Sequence, residues 1–173
     1  VSTPRKMAAR GAIFLGVEIL LVLMLPLFLD QDPNLTDRAA SFWAPPSAQH
    51  LLGTDDVGRD IFARLLHGGQ ISLLVGFASA GLGVVLGVPL GLLAGYKGGK
   101  WEYWIMRACD TFQSFPSIIL VLAMVSLLGP SVWNIILVIG GLGWASVARL
   151  VYGNTLSAKK AEYVEASRAL GAG

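Results

Sequence analysis

Chemistry in this chain would have to come from few residues. Inside its long apolar stretches the ionisable side chains are Glu18, Arg107, Asp110 and Arg149. Arg107 and Asp110 lie three apart, the spacing at which two side chains of one helix meet and pair. Charges inside a membrane segment are costly and face a bundle interior or water. A paired or snorkelling charge near the inner end therefore explains Arg107 and Asp110 better than a direct substrate contact. Glu18 has no evident partner. A protonated carboxyl, a pair with another chain and a polar seam all stay open for it. His50 and His67 are 17 residues apart, and neither sits in an H-E-x-x-H pattern. Cys109 is the single cysteine, so there is no cysteine pair for zinc and no intrachain disulfide. A buried, small apolar role suits it. No serine has a nucleophile-elbow context. Gly98-Gly99-Lys100 resembles a phosphate loop only superficially, because Ala94 replaces the first glycine and Trp101 the required Ser/Thr. The residues thus predict no catalytic site, no metal, no cofactor and no nucleotide or nucleic-acid site. Transport, channel formation or scaffolding remain.

The elements that carry these residues are membrane segments. Hydrophobic residues make up 54% of the 173 and charged residues 14%, against about 25% charged in ordinary soluble domains. A bilayer core of about 30 Å needs about 20 apolar helical residues. Four stretches qualify: Gly11–Leu29, Ile71–Ala94, about Met106–Leu128, and Val132–Val151. The first is too long for a signal-peptide core and is followed by no small-residue cleavage site. Charge sets the orientation. Ten of the 13 basic residues fall on one side if the N-terminus is inside: Arg5, Lys6 and Arg10; Lys97, Lys100 and Arg107; Arg149, Lys159, Lys160 and Arg168. The outer segment 30–70 carries Arg38, Arg59 and Arg64 against Asp30, Asp32, Asp37, Asp55, Asp56 and Asp60. Basic residues stay cytoplasmic, so both ends are expected inside.

Between the first two stretches, residues 30–53 read as irregular. Asn34-Leu35-Thr36 matches a glycosylation sequon, a pattern common by chance. A short amphipathic helix is expected next, capped by Thr54 with Asp55 and Asp56 in its first turn. Ile61, Phe62 and Leu65 should turn inward, Asp60 and Arg64 should pair at i, i+4, and Gly68-Gly69 should end it. In the second stretch Gly83, Gly87, Gly91 and Gly95 recur every four residues. Such a ridge admits another helix closely, and Pro89 within it should bend the helix. Aromatic and basic anchors, Tyr96 to Trp101, mark the inner turn. Residues 158–170 predict a cytoplasmic amphipathic helix with Tyr163, Ala166, Ala169 and Leu170 on one face.

Two segments carry a family resemblance. Leu52-Gly53-Thr54-Asp55-Asp56-Val57-Gly58-Arg59-Asp60, followed by Arg64-Leu65-Leu66 and Ile71-Ser72-Leu73, resembles the C-type permease subunit of bacterial ABC importers of the oligopeptide/dipeptide/nickel family. Glu165-Ala166-Ser167-Arg168-Ala169-Leu170-Gly171 resembles the start of the E-A-A loop of ABC importer permeases in general, with Ser167 where that pattern has its second Ala. The Met106-Arg107…Asp110…Phe115-Pro116 run belongs to the same likeness. The resemblance implies an all-α, polytopic type I importer permease, of which this chain holds four of six crossings and stops inside the coupling loop. It implies that Glu165, Ala166, Ser167 and Gly171 couple to an ATPase, and that Gly53, Thr54, Asp55, Gly58, Arg59 and Asp60 form the outer family motif. It implies four partners besides the bilayer itself: a second permease, two cytoplasmic ATP-binding subunits and an extracytoplasmic solute-binding protein. ATP hydrolysis would belong to those partners, not to this chain.

The chain divides into residues 1–70 (inner tail, first crossing and outer segment) and a transmembrane core, 71–173. Two other readings stand against the importer permease. A membrane-embedded enzyme would need convergent ionisable groups that the spans lack. A channel-like or structural subunit without ATP coupling fits the glycine ridge equally well, and only the outer and inner motifs together separate it from an importer. The substrate is not legible; peptide, nickel and other small solutes all fit.

Overall fold

The computed structural model describes residues 4–28, 32–36 and 42–171. Asp30, Asp37 and Arg38, counted above in the outer charge balance, lie outside the described residues, as do the side chains of Glu165 and Arg168. The described residues form six helices: α1 (Pro4–Phe28), α2 (Ile61–Lys97), α3 (Gly99–Gln113), α4 (Ser117–Leu128), α5 (Val132–Lys159) and α6 (Glu162–Ala169). Among them there is no strand, only two isolated bridges, Thr36 with Arg59 and Thr54 with Asp60. The expected all-α membrane architecture is present. Three helices, α1, α2 and α5, are long and apolar enough to cross a bilayer, and α3 with α4 makes a fourth if that bent pair is one span. The chain forms two compact units, Val1–Leu73 and Leu74–Gly173.

In the first unit α1 is apolar nearly all round, with Phe14, Leu15 and Leu20 exposed on different sides. A helix without a polar face suits lipid rather than a water-facing surface. A Cβ at Gly69 would lie 3.0 Å from the Val22 side chain, so α1 and the start of α2 approach closely there. The short outer helix differs from expectation in four ways. It begins at Ile61, not after Thr54, because Asp60 caps it: Asp60 Oδ1 accepts the Ala63 N–H at 2.8 Å. Gly68 and Gly69 do not end it, since the apolar run beyond them continues the same helix to Lys97. Its inward residues are Ala63 and Leu66, whereas Leu65 is 62% exposed. Asp60 is engaged by His50 and the cap, and Arg64 turns instead to Asp55 at 3.7 Å.

In the second unit the third crossing is not one straight helix. It breaks at Ser114–Pro116, and its halves meet at 81°. Pro116 has no N–H to donate and forces Phe115 away from helical geometry. Ser114 closes α3 through its N–H to Asp110 O (2.9 Å) and its hydroxyl to Thr111 O (2.7 Å), while Pro116 O accepts the Ile119 N–H at 3.0 Å to start α4. Asn134 Nδ2 then donates to the carbonyls of Leu128 and Gly129, at 2.8 and 3.1 Å, tying the start of α5 to the end of α4.

α2 and α5 meet through glycine. A Cβ at Gly87 would stand 2.7 Å from Trp144 O and from Val147 Cβ; one at Gly95 would stand 2.6 Å from Thr155 Cβ. At Gly91 it would overlap Ala148 O, and at Gly83 it would sit in ordinary contact with Gly140 and Gly143 backbone at 3.7 Å. α5 returns the approach: a Cβ at Gly140 would lie 2.8 Å from Leu82 Cβ. Ser79 adds a hydrogen bond to Ile136 O at 3.4 Å, and Lys159 Nζ donates to Tyr96 O at 3.0 Å. α3 adds Ile105 and Cys109, which bury against Ala94, Ala145 and Ala148. Small residues dominate this core because the backbones leave no room for larger ones.

The inner amphipathic helix is shorter than residues 158–170. α5 runs on to Lys159, and a turn at Lys160–Ala161, closed by Ala161 N–H to Ala158 O at 3.1 Å, separates it from α6. Ala161, in the turn, and Val164 are half-buried, while Tyr163 (71%) and Leu170 (90%) are exposed.

Candidate functional site

The outer motif, Gly53 to Asp60, is a knot closed against Ala44 and His50. Thr54 is 1% exposed; its hydroxyl accepts the Ala44 N–H at 2.9 Å, and its own N–H donates to Ala44 O at 3.1 Å. Gly53 has φ +79, and a Cβ there would overlap Ala44 O, so only glycine lets the two segments close. Asp55 is the organiser. Its Oδ1 accepts the N–H groups of Val57 (3.0 Å) and Arg59 (2.9 Å), and its Oδ2 accepts Arg59 Nε at 2.8 Å. Desolvation pulls the Asp55 pKa upward, but the amide bonds from Arg59 and Val57 and the Arg59 guanidinium outweigh it and bring the value from 3.8 to about 2. Gly58, at φ +80, makes the turn that returns Arg59 to Asp55. Asp60 joins the knot to α2: one oxygen caps the helix and the other lies 2.8 Å from His50 Nδ1. Chemically the motif is a cap and a turn, with the side chains of Thr54, Asp55, Arg59 and Asp60 held by hydrogen bonds.

The second unit carries charge on two of its helices, α3 and α5. Arg149 Nη2 of α5 donates to Asp110 Oδ1 of α3 at 2.5 Å, and Arg107 lies 3.6 Å from Asp110 Oδ2. The expected Arg107–Asp110 pair exists, yet Arg149 makes the shorter bond. The hydroxyl of Tyr152 donates to Glu102 Oε1. Phe112 and Trp144 meet edge to face at 5.6 Å. These pairs tie α3 to α5 along the same face. Glu18 is exposed on α1, and no ion pair holds it among the described residues. Among them too, no group of His, Cys, Asp or Glu could hold a metal.

The inner motif falls on α6. Ala166 and Ser167 are exposed, the Glu165 backbone is helical, and Gly171 has φ +93 just beyond the helix. The outer and inner motifs lie in different units of the chain.

Sequence reasoning missed the Arg149–Asp110 bond and the Asp60 cap. The first had a signal in retrospect: two opposite charges in neighbouring apolar segments, each expensive alone. The second had one as well, an Asp directly before the apolar run Ile61-Phe62-Ala63. Nothing in the spacing marked Ala44 as the acceptor that closes over Gly53.

Comparison with known proteins decides the family. The profile of the binding-protein-dependent transport system inner membrane component matches residues 87–173, half of the chain. The chain belongs to that family. The match covers the inner part of the glycine ridge and everything from α3 to α6. Similar proteins extend the likeness across the outer motif. The oligopeptide transport system permease protein OppC of Bacillus subtilis is 37% identical over 167 residues, 96% of this chain and 54% of that protein. The probable D,D-dipeptide transport system permease protein DdpC of Escherichia coli is 37% identical over 162 residues, 94% of this chain and 54% of its own. The glutathione transport system permease protein GsiD of Pectobacterium atrosepticum is 44% identical over 127 residues, 73% of this chain and 42% of its own. The resemblance to peptide permeases read from the outer motif is thereby borne out. The chain spans about half the length of the curated relatives it matches.

Proposed function

We propose that this inner membrane component is the permease subunit of an ATP-driven importer, and that its solute is a peptide or a similar small molecule. The likeness to named oligopeptide and dipeptide permeases along nearly the whole chain carries this reading. Partner subunits hydrolyse the ATP. The chain itself is a transport component, not an enzyme. The partners are a second permease, cytoplasmic ATP-binding subunits and an extracytoplasmic solute-binding protein, in the cytoplasmic membrane with the N-terminus inside.

The geometry suggests how force would pass. α6 presents Ala166 and Ser167, small residues that let a partner surface come close. The turn at Lys160–Ala161 links α6 to α5. α5 is locked to α2 by the glycine contacts and to α3 by the Arg149–Asp110 bond. A push on α6 would therefore move α2, α3 and α5 as one block, and such blocks switch between discrete arrangements rather than deform. In this scheme the outer knot fixes the start of α2 and contributes to sealing the outer mouth. The glycine ridge serves packing, not gating.

The reading requires α6 in the cytoplasm. With an impermeant thiol reagent added outside intact cells, Ser47→Cys in the full-length protein should react and Ser157→Cys should not. Cys109, fully buried, stays silent. Labelling of Ser157→Cys but not Ser47→Cys would put α6 on the wrong side and defeat coupling to ATP.

A further inference from the structure

We infer that the second unit carries a binding groove for an anionic phospholipid of the inner leaflet. A groove of about 510 Å³ opens between α2, α3 and α5, lined by Leu90, Lys100, Trp101, Trp104, Ile105 and Trp144. Its polarity is graded along α3. Lys100 stands at one end, and the lining from Trp101 inward to Ala108 is apolar. From Lys100 to Ala108 this wall runs about 12 Å along the helix, long enough to hold part of an acyl chain. An acyl chain fits such a wall, and indole rings favour the level where chain gives way to headgroup.

Charge at the mouth selects the headgroup. Lys100 is exposed, and no carboxylate pairs with it or with Lys97 among the described residues. Lys97 Nζ sits 5.7 Å from the centre of the Trp101 ring, which holds a second cation beside the groove. The nearest acid in sequence, Glu102, accepts a bond from Tyr152 and lines a separate groove. A lysine lining the polar end of an apolar slot, with a second cation beside it, complements a phosphate-bearing, net-negative lipid. A zwitterionic lipid, whose own cation cancels its phosphate, gains little there. The inference takes the inner side from the topology above, and the test keeps the two separable because it reads headgroup preference, not sidedness.

The full-length protein is reconstituted into phosphatidylcholine vesicles that contain phosphatidylglycerol or phosphatidylcholine brominated on the acyl chains, at equal mole fraction. Tryptophan quenching is then measured. The share of the signal lost in Trp104→Phe reports the groove. We expect the brominated phosphatidylglycerol to quench that share more strongly, and Lys100→Gln to lower its relative affinity about fivefold. Lys100→Arg should retain the preference. Equal quenching by both lipids in the unaltered protein would overturn the headgroup selection. Absence of quenching by either would show the groove to be filled by protein, and would overturn the site itself.

Discussion

Gly91→Leu should strip the membrane core of its stability and leave little folded protein. A Cβ at Gly91 would overlap Ala148 O and stand 2.8 Å from Val151 Cβ. The obstacle is largely α5 backbone, which has no rotamer into which to retreat. Leucine there must part α2 from α5, and with them the Ala94, Ala145 and Ala148 core. Overpacking a tight core costs about 1–3 kcal/mol even where side chains can shift; here backbone must move, so the upper end of that range is expected. Thermal unfolding of the full-length protein in detergent measures it. Gly76→Ala and Gly81→Ala are the controls, because nothing lies within 4 Å of a Cβ at either position. Both should behave as wild type or slightly better, since alanine favours helix over glycine by about 1 kcal/mol. A Gly91→Leu protein as stable as the controls would mean that α2 and α5 do not approach as described.

Ala166→Trp should separate transport from ATP hydrolysis while leaving the membrane core intact. Ala166 is exposed on α6, so an indole there meets no neighbour within the chain and should not alter folding. It would obstruct any surface that docks on α6. The expected outcome is loss of the ATP-binding subunits on co-purification and loss of ATP-coupled uptake, with an unchanged unfolding temperature. Ala166→Ser, which keeps the residue small, should restore both. Wild-type copurification and uptake by the tryptophan variant would remove α6 from the coupling path.

How far the sequence foretells the structure depends on whether a property is local. Apolar length and charge asymmetry are local, and the apolar stretches lie inside α1, α2, the α3–α4 pair and α5. Outer-motif residues could be recognised as a family pattern, but not as a knot, because its closure depends on Ala44, ten residues from Thr54. Thr54 looked like a helix cap because Ser/Thr before acids often is one. Its hydroxyl goes to Ala44 instead, and Asp60 takes the cap. Phe115-Pro116 was in view, yet hydropathy counts residues and does not register the direction of a chain, so the 81° break escaped. Arg149 and Asp110 are 39 residues apart, and their bond exists only once α3 lies against α5. The spacing in 158–170 predicts a helix with an apolar face, but Tyr163 and Leu170 of that face are exposed and Val164 is the half-buried residue, which periodicity alone could not choose.

On the proposed function, the full-length permease should carry its solute only while partner subunits hydrolyse ATP. The direct measurement is uptake of a labelled short peptide into proteoliposomes that hold the full-length permease, its partner permease and the ATP-binding subunits, with the solute-binding protein outside and ATP inside. Uptake against a gradient that stops when ATP is replaced by a non-hydrolysable analogue is the predicted result. Peptide that equilibrates across the membrane at the same rate with or without ATP would contradict it and make the chain part of a channel.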